Sequence, residues 1–289
     1  MLLVSPDDWR ARGDTFEWRG HRIFFRCEGT GEPILLIHGF PTASWDWSPI
    51  WPRLLERYRL LTLDMIGFGF SAKPRSFPYS IFAQADLFGE LLSRERVTSY
   101  RLVAHDYGLT VAQELLARQP EAPAAPRITS VCLMNGGLFP EAHHPLLTQK
   151  LLASPLGPLL ARLGGHRAFA RSMRQIWGSH PVSSDELRAM WRLIAENDGP
   201  AVLPKLISYM TERRTHRSRW VSALVSATAP LRLIDGLLDP ISGAHMVARY
   251  RELVPHPDVI ELPTVGHYPQ LEAPSDVAAA ILGHFERPT

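Results

Sequence analysis

Three polar residues stand where a covalent hydrolysis would need them. Asp106 falls in Leu102-Val103-Ala104-His105-Asp106-Tyr107-Gly108, where an apolar run meets a polar pair and turns at Gly108. Apolar residues then resume at helical spacing as Leu109, Val111, Ala112, Leu115 and Leu116. The pattern reads as strand, sharp turn and helix, the outline of an elbow that lifts a nucleophile to the tip of a sheet. Small Ala104 and Gly108 let strand and helix approach closely. Ser is usual at that tip. A carboxylate there needs no base to activate it, and its attack on carbon forms an alkyl ester on the protein. A second, less favoured reading of Asp106 taken alone is the N-cap of the following helix.

Its partners come from three loops. Gly236-Leu237-Leu238-Asp239-Pro240 and Pro263-Thr264-Val265-Gly266-His267-Tyr268-Pro269 each follow a late strand pattern, which places an acid and then a His after the nucleophile. A neutral His267 can take a proton from the water that hydrolyses the ester, while Asp239 holds the ring and stabilises the imidazolium. Asp235 is a rival acid nearer the strand end, but the loop gives Asp239 more reach. In His38-Gly39-Phe40-Pro41 the Phe40 N–H, together with the Tyr107 N–H, is placed to hold the oxyanion formed during ester hydrolysis. His38 and His105 read as hydrogen-bonded structural histidines.

The elements that must carry these loops are an antiparallel hairpin around Gly20-His21, then buried apolar strands at 33–37, 59–64, 100–104 and 128–134. Helical patterns fall between them, at 44–58, 80–93 and after Gly108. Such alternation means a mostly parallel sheet covered on both faces, with ligands at its carboxyl edge. From Leu138 to about Trp220 only helical patterns occur: 145–163, 183–197 with a Ser183/Glu186 capping box, and 201–214. The expected organisation is therefore an α/β core of residues 1–138 and 221–289 with an inserted helical cap, 139–220. The cap holds twelve Lys/Arg against six Asp/Glu, and the run Arg213-Arg214-Thr215-His216-Arg217-Ser218-Arg219 reads as a solvated basic face. Sheet and helix patterns resume at 230–236, 242–253, 258–262 and 274–285.

Composition narrows the class further. At 289 residues, 45% hydrophobic and 21% charged, the chain has the makeup of an ordinary folded protein. A net charge of +2 gives no reason to expect nucleic acid or a membrane as partner. No apolar stretch reaches membrane-spanning length and the first residues lack a leader pattern, so a cytoplasmic location is expected. Cys27 and Cys132 lie in strand-like runs and read as buried thiols. No cofactor or metal is expected, and a monomer or homodimer is the expected state.

His38-Gly39-Phe40-Pro41, His105-Asp106-Tyr107-Gly108 and Gly266-His267-Tyr268-Pro269-Gln270-Leu271-Glu272 resemble the motifs of α/β-hydrolases of the epoxide hydrolase and haloalkane dehalogenase branch. More narrowly, Gly67-Phe68-Gly69-Phe70-Ser71, Asn135-Gly136-Gly137 and Leu238-Asp239-Pro240 are similar to the mesoderm-specific transcript group. The resemblance implies an aspartyl nucleophile, a His, an acid after the late strand, and a cap. In epoxide hydrolases cap tyrosines donate to the opening oxygen, and Tyr209 lies in a similar setting. Tyr107 would be the second donor if its side chain turned inward; Trp177 is a weaker N–H candidate. Haloalkane dehalogenases use N–H donors instead, a Trp after the nucleophile and often Asn at the position of Phe40, and this chain departs from both. Dehalogenases of small fluorinated acids place Arg just after the nucleophile, where this chain has Tyr107, Leu109 and Thr110. The expected activity is hydrolysis of a small hydrophobic epoxide to a diol. Halide displacement by Asp106 and a non-catalytic, hydrolase-shaped scaffold are the alternatives.

Overall fold

A computed structural model describes residues 4–287. Its centre is one eight-stranded sheet: β1 (Asp14–Trp18), β2 (His21–Glu28), β3 (Pro33–Ile37), β4 (Arg59–Leu63), β5 (Ser99–His105), β6 (Arg127–Met134), β7 (Leu231–Gly236) and β8 (Asp258–Leu262). The order across the sheet is β1-β2-β4-β3-β5-β6-β7-β8, with β2 antiparallel to β1 and β4 and every other pair parallel. The β1–β2 hairpin turns at Arg19 and Gly20, both at positive φ, which matches the twist of the strands it joins.

Parallel strands need apolar residues on both faces, and these have them. Along β3, Ile34 and Leu36 enter one core while Leu35 and Ile37 enter the other. Helices Ile81–Arg94, Tyr107–Arg118, Arg217–Val225 and Ala244–Leu253 cover the Leu35/Ile37 face; Trp51–Leu55 and Pro274–Phe285 cover the Ile34/Leu36 face. A Leu35→Ala change there would cost about 2–5 kcal/mol, because a close-packed layer cannot collapse into the hole.

Between β6 and β7 the described chain forms helices and no strand: Leu147–Leu152, Gly157–Ile176, Ser184–Ala195, Leu203–Leu206, Tyr209–Thr215 and Arg217–Val225, with short 3-10 turns. The Ser183/Glu186 capping box forms, with Glu186 N–H donating to Ser183 Oγ at 3.1 Å and Ser183 N–H to Glu186 Oε2 at 2.9 Å. Three helices expected to be continuous are broken. The 44–58 stretch is a 3-10 turn (Ser44–Trp47) followed by Trp51–Leu55, because Pro52 has no N–H to continue a helix through it. The 145–163 pattern splits around Pro155. The 201–214 pattern splits where the Ser208 hydroxyl donates to the Lys205 carbonyl at 2.6 Å. The last break sets Tyr209 at the start of its own short helix.

Candidate active site

The carboxyl ends of β3, β5, β6, β7 and β8 bring the candidate residues together. β5 ends at His105 and a helix begins at Tyr107, leaving Asp106 between them at φ 47°, ψ −108°. A non-glycine residue held there costs about 1–3 kcal/mol and persists only where its surroundings over-determine it. Gly108 permits the turn, since a Cβ there would lie 2.5 Å from the Ile37 carbonyl oxygen. Asp106 N–H donates to the Asn135 carbonyl at 2.9 Å. Its side chain makes no helix-capping bond. Instead Asp106 Oδ2 accepts the Phe40 N–H at 2.9 Å, and the neighbouring Tyr107 N–H favours the charged carboxylate. If Oδ1 were esterified, Oδ2 would be the carbonyl oxygen, already bonded by the Phe40 N–H.

His267 Nε2 lies 3.8 Å from Asp106 Oδ1, too far for a hydrogen bond, and its Nδ1 bonds Asp239 Oδ2 at 2.7 Å. Asp239 also accepts from Ile241 N–H (2.8 Å), Ser242 N–H (3.1 Å), Ser242 Oγ (2.6 Å) and Asn135 Nδ2 (3.1 Å). Burial would raise the Asp239 carboxyl, but His267 and these donors hold it down at about 2. Burial would likewise lower His267; the carboxylates of Asp239 and Asp106 outweigh it and raise the imidazole to about 9. Asp106 itself is pushed up by burial, against the pull of His267, Arg213 and the two N–H groups. Asp235 is buried beside Asp239 and does not reach His267: its Oδ1 meets only Asn135 Nδ2, at 3.4 Å. Burial and the neighbouring Asp239 charge favour its protonated form.

The other two histidines are scaffolding. His105 Nε2 bonds the His267 carbonyl at 2.7 Å, and burial lowers its pKa to about 3, so it is neutral. His38 Nε2 accepts the Met65 N–H at 3.0 Å, and burial lowers it to about 4. Glu272 ties the His267 loop to the cap by accepting N–H bonds from Gly178, Gly266 and Tyr268 at 2.7, 2.9 and 3.0 Å.

Above Asp106 the two tyrosines take different places. Tyr209 is fully buried, its hydroxyl has no hydrogen-bond partner, and the Asp106 charge reaches it. Burial first, and then Asp106, raise its pKa, so it stays protonated. The Tyr107 ring packs 4.7 Å from that of Tyr209, but its hydroxyl faces Gln84 and Glu212. Glu212 and Gln84, rather than Asp106, are the polar groups that act on the Tyr107 hydroxyl. Trp177 stacks on Tyr268, with ring centroids 5.5 Å apart.

Arg213 was expected on a solvated face and is instead buried. Helical periodicity explains the difference: Arg214 and Ser218 point outward and Arg213 inward. Its guanidinium lies 4.7 Å over the Tyr209 ring and donates from Nε to Thr110 Oγ1 at 3.0 Å, leaving Nη1 and Nη2 without partners. Gly137 makes room for it, since a Cβ there would fall 1.9 Å from Nη1. Asn135 and Ser242 also escaped the sequence reading. Asn135-Gly136-Gly137 stands out in the sequence as a family motif at a strand end and Ser242 as the start of a helix, neither as a support of Asp239. On the other side, an apolar cavity of about 290 Å³ reaches Phe40 and His267 and is walled by Leu146, Met173, Trp191 and Ile241. Among the described residues no group of three or more His, Cys, Asp or Glu is arranged to hold a metal ion.

The profile described as "alpha/beta hydrolase fold" matches residues 32–274. The mesoderm-specific transcript homolog protein of Bos taurus is 42% identical over 98% of this chain and 88% of its own length. LipZ of Mycobacterium tuberculosis is 37% identical over 98% of both chains. Among solved structures, haloalkane dehalogenase DbeA from Bradyrhizobium elkani superposes with a TM-score of 0.78 at 23% identity, over 94% of this chain and 96% of that one, a likeness of fold. The chain belongs to the α/β-hydrolase fold family.

Proposed function

We propose that this α/β hydrolase opens a small hydrophobic epoxide through an ester on Asp106 and hydrolyses that ester to a vicinal diol. The observation that carries the reading is the Tyr209 hydroxyl, enclosed and unpartnered within the field of Asp106. Such a group is available to donate to an oxygen held over the carboxylate. Asp106 Oδ1 attacks the less hindered ring carbon, the C–O bond breaks, and the electron pair passes to oxygen, which takes the Tyr209 proton. The Arg213 guanidinium stabilises the tyrosinate as it forms. Ester formation discharges Asp106, and His267, having lost one of the two carboxylates that keep it protonated, gives up a proton that restores the Tyr209 hydroxyl. As a neutral base it then takes a proton from water, which attacks the Asp106 carboxyl carbon while the Phe40 and Tyr107 N–H groups hold Oδ2. The tetrahedral intermediate collapses with cleavage of the ester C–O bond, the departing alkoxide takes the remaining carboxyl proton, and the diol leaves Asp106 as the carboxylate and His267 as the imidazolium that Asp239 steadies.

Halide displacement by the same nucleophile is the second reading, favoured by one observation. Arg213 Nη1 and Nη2 are free N–H donors of the kind a leaving halide needs. A panel of styrene-type epoxides and short haloalkanes separates the two: diol without halide supports epoxide opening, and halide release overturns it. Silence toward both favours a scaffold without catalysis. In a single turnover in heavy-oxygen water the label is expected in the Asp106 carboxyl, and an unlabelled Asp106 would sink the ester mechanism.

A further inference from the structure

Between Glu141 and Asp185 the chain contains no acidic residue. The same segment carries Lys150, Arg162, Arg167, Arg171 and Arg174, all exposed and none in an ion pair among the described residues. It also carries nearly every exposed large apolar side chain of the described structure: Leu147, Leu151, Leu156, Leu159, Leu160 and Leu163, with Leu163 75% and Leu147 70% exposed. Helix 157–176 shows how the two are combined. Leu156, Leu159, Leu160 and Leu163 recur at three-to-four spacing, and beyond the kink at Gly165 the exposed positions become Arg167, Arg171 and Arg174.

We propose that this outer face of the cap, helices Leu147–Leu152 and Gly157–Ile176, docks on the surface of an anionic phospholipid bilayer. Leucines flanked by unpaired cations are the composition of an interfacial helix, which lies in the headgroup plane and does not cross it. No helix of the described structure is long and apolar enough to cross. Charge argues against a second copy as the occupant, because a symmetric contact would set these cations against one another with no acid to answer them. Continuity with the candidate site supplies a second argument. Leu151 and Leu160 are exposed and also line the apolar cavity that reaches His267. Docked this way, the cavity opens toward lipid, and a hydrophobic molecule dissolved in the bilayer has an apolar route as far as Phe40 and His267. The chain's overall +2 hides this segregation, which is why composition alone predicts no membrane partner.

The test is co-sedimentation with phosphatidylcholine vesicles, with and without phosphatidylglycerol, and it needs no turnover, so it stands or falls apart from the proposed activity. Binding is expected only with phosphatidylglycerol, and it should weaken steeply between about 0.1 and 1 M salt as the screening length falls from about 10 to 3 Å. Each cation at the surface is worth about fivefold, so Arg167→Gln with Arg171→Gln should weaken partition about 25-fold. Leu159→Glu with Leu163→Glu should abolish it. All four side chains are exposed, so unchanged melting temperatures establish that the variants fold. No sedimentation with anionic vesicles, or sedimentation indifferent to these variants, overturns the proposal. So does a dimer in sedimentation velocity that the leucine variant splits without any vesicle binding, since that would make a second copy the occupant.

Discussion

If alkylation discharges Asp106, His267 is the group that registers it. Asp106 Oδ1 lies 3.8 Å from His267 Nε2. At an effective dielectric of about 20 a unit charge at that separation is worth about 4 kcal/mol, or about 3 pKa units. With both carboxylates charged the imidazole is raised to about 9. With Asp106 neutral, and Asp239 still bonded at 2.7 Å, it should titrate near about 6. Asp106→Asn makes this measurable, because it removes the charge while keeping the shape, as the ester would. NMR titration of the His267 ring should show a pKa about 3 units lower in Asp106→Asn than in the unmodified chain. Correspondingly, ester hydrolysis in single turnover should rise with pH through about 6 and not through 9. A His267 pKa that moves by less than about 1 unit would refute the reasoning, since the two groups would then not be electrostatically coupled.

Three further outcomes follow from the same geometry. Tyr209→Phe should slow epoxide opening by about 100-fold or more while leaving the melting temperature unchanged or raised, because the hydroxyl it removes is buried without a partner; diol formation within about twofold of the parent would place the donor elsewhere. Arg213→Met should move the acid limb of the Asp106 alkylation rate to higher pH, since the guanidinium opposes the rise that burial imposes on that carboxyl, and an unmoved limb would show that Arg213 does not act on Asp106. The raised pKa of His267 also has a sign for stability: its ion-pair contribution is fully present below the ordinary value of 6.5 and is lost as pH rises through about 9. Urea unfolding should therefore show an alkaline loss of stability that His267→Gln removes, and equal slopes in the two proteins would contradict it.

How much of this was legible beforehand depends on the range over which each feature is encoded. The parallel sheet was legible because strands buried on both faces must be continuously apolar, as Ile34 to Ile37 are, and helices between them must follow period 3.6. The elbow was legible because Asp106 is bracketed by residues small enough for its turn, and the acid and base because each follows a late strand within a few residues. Helix ends in the cap were less so. Apolar spacing alone carries through 201–214, whereas Pro204 and the Ser208 hydroxyl break it.

Side-chain direction and pairing were decided only by the tertiary structure. Asp239 rather than Asp235 meets His267 because the turn after β7 carries it round, while Asp235 stays at the strand end against Asn135. Tyr107 could have turned its hydroxyl either way in sequence terms, and packing against Tyr209 and Phe68 sends it toward Gln84. Arg213 looked like one member of a basic run until helix phase placed it over the Tyr209 ring and against Gly137. The sequence by itself determined which elements form and which loops hold reactive groups, because those depend on local pattern. Which groups touch, and so which pKa values move, depends on distances between loops 28 to 161 positions apart in the chain, Asp239 to His267 and Asp106 to His267. Only the folded sheet sets those distances.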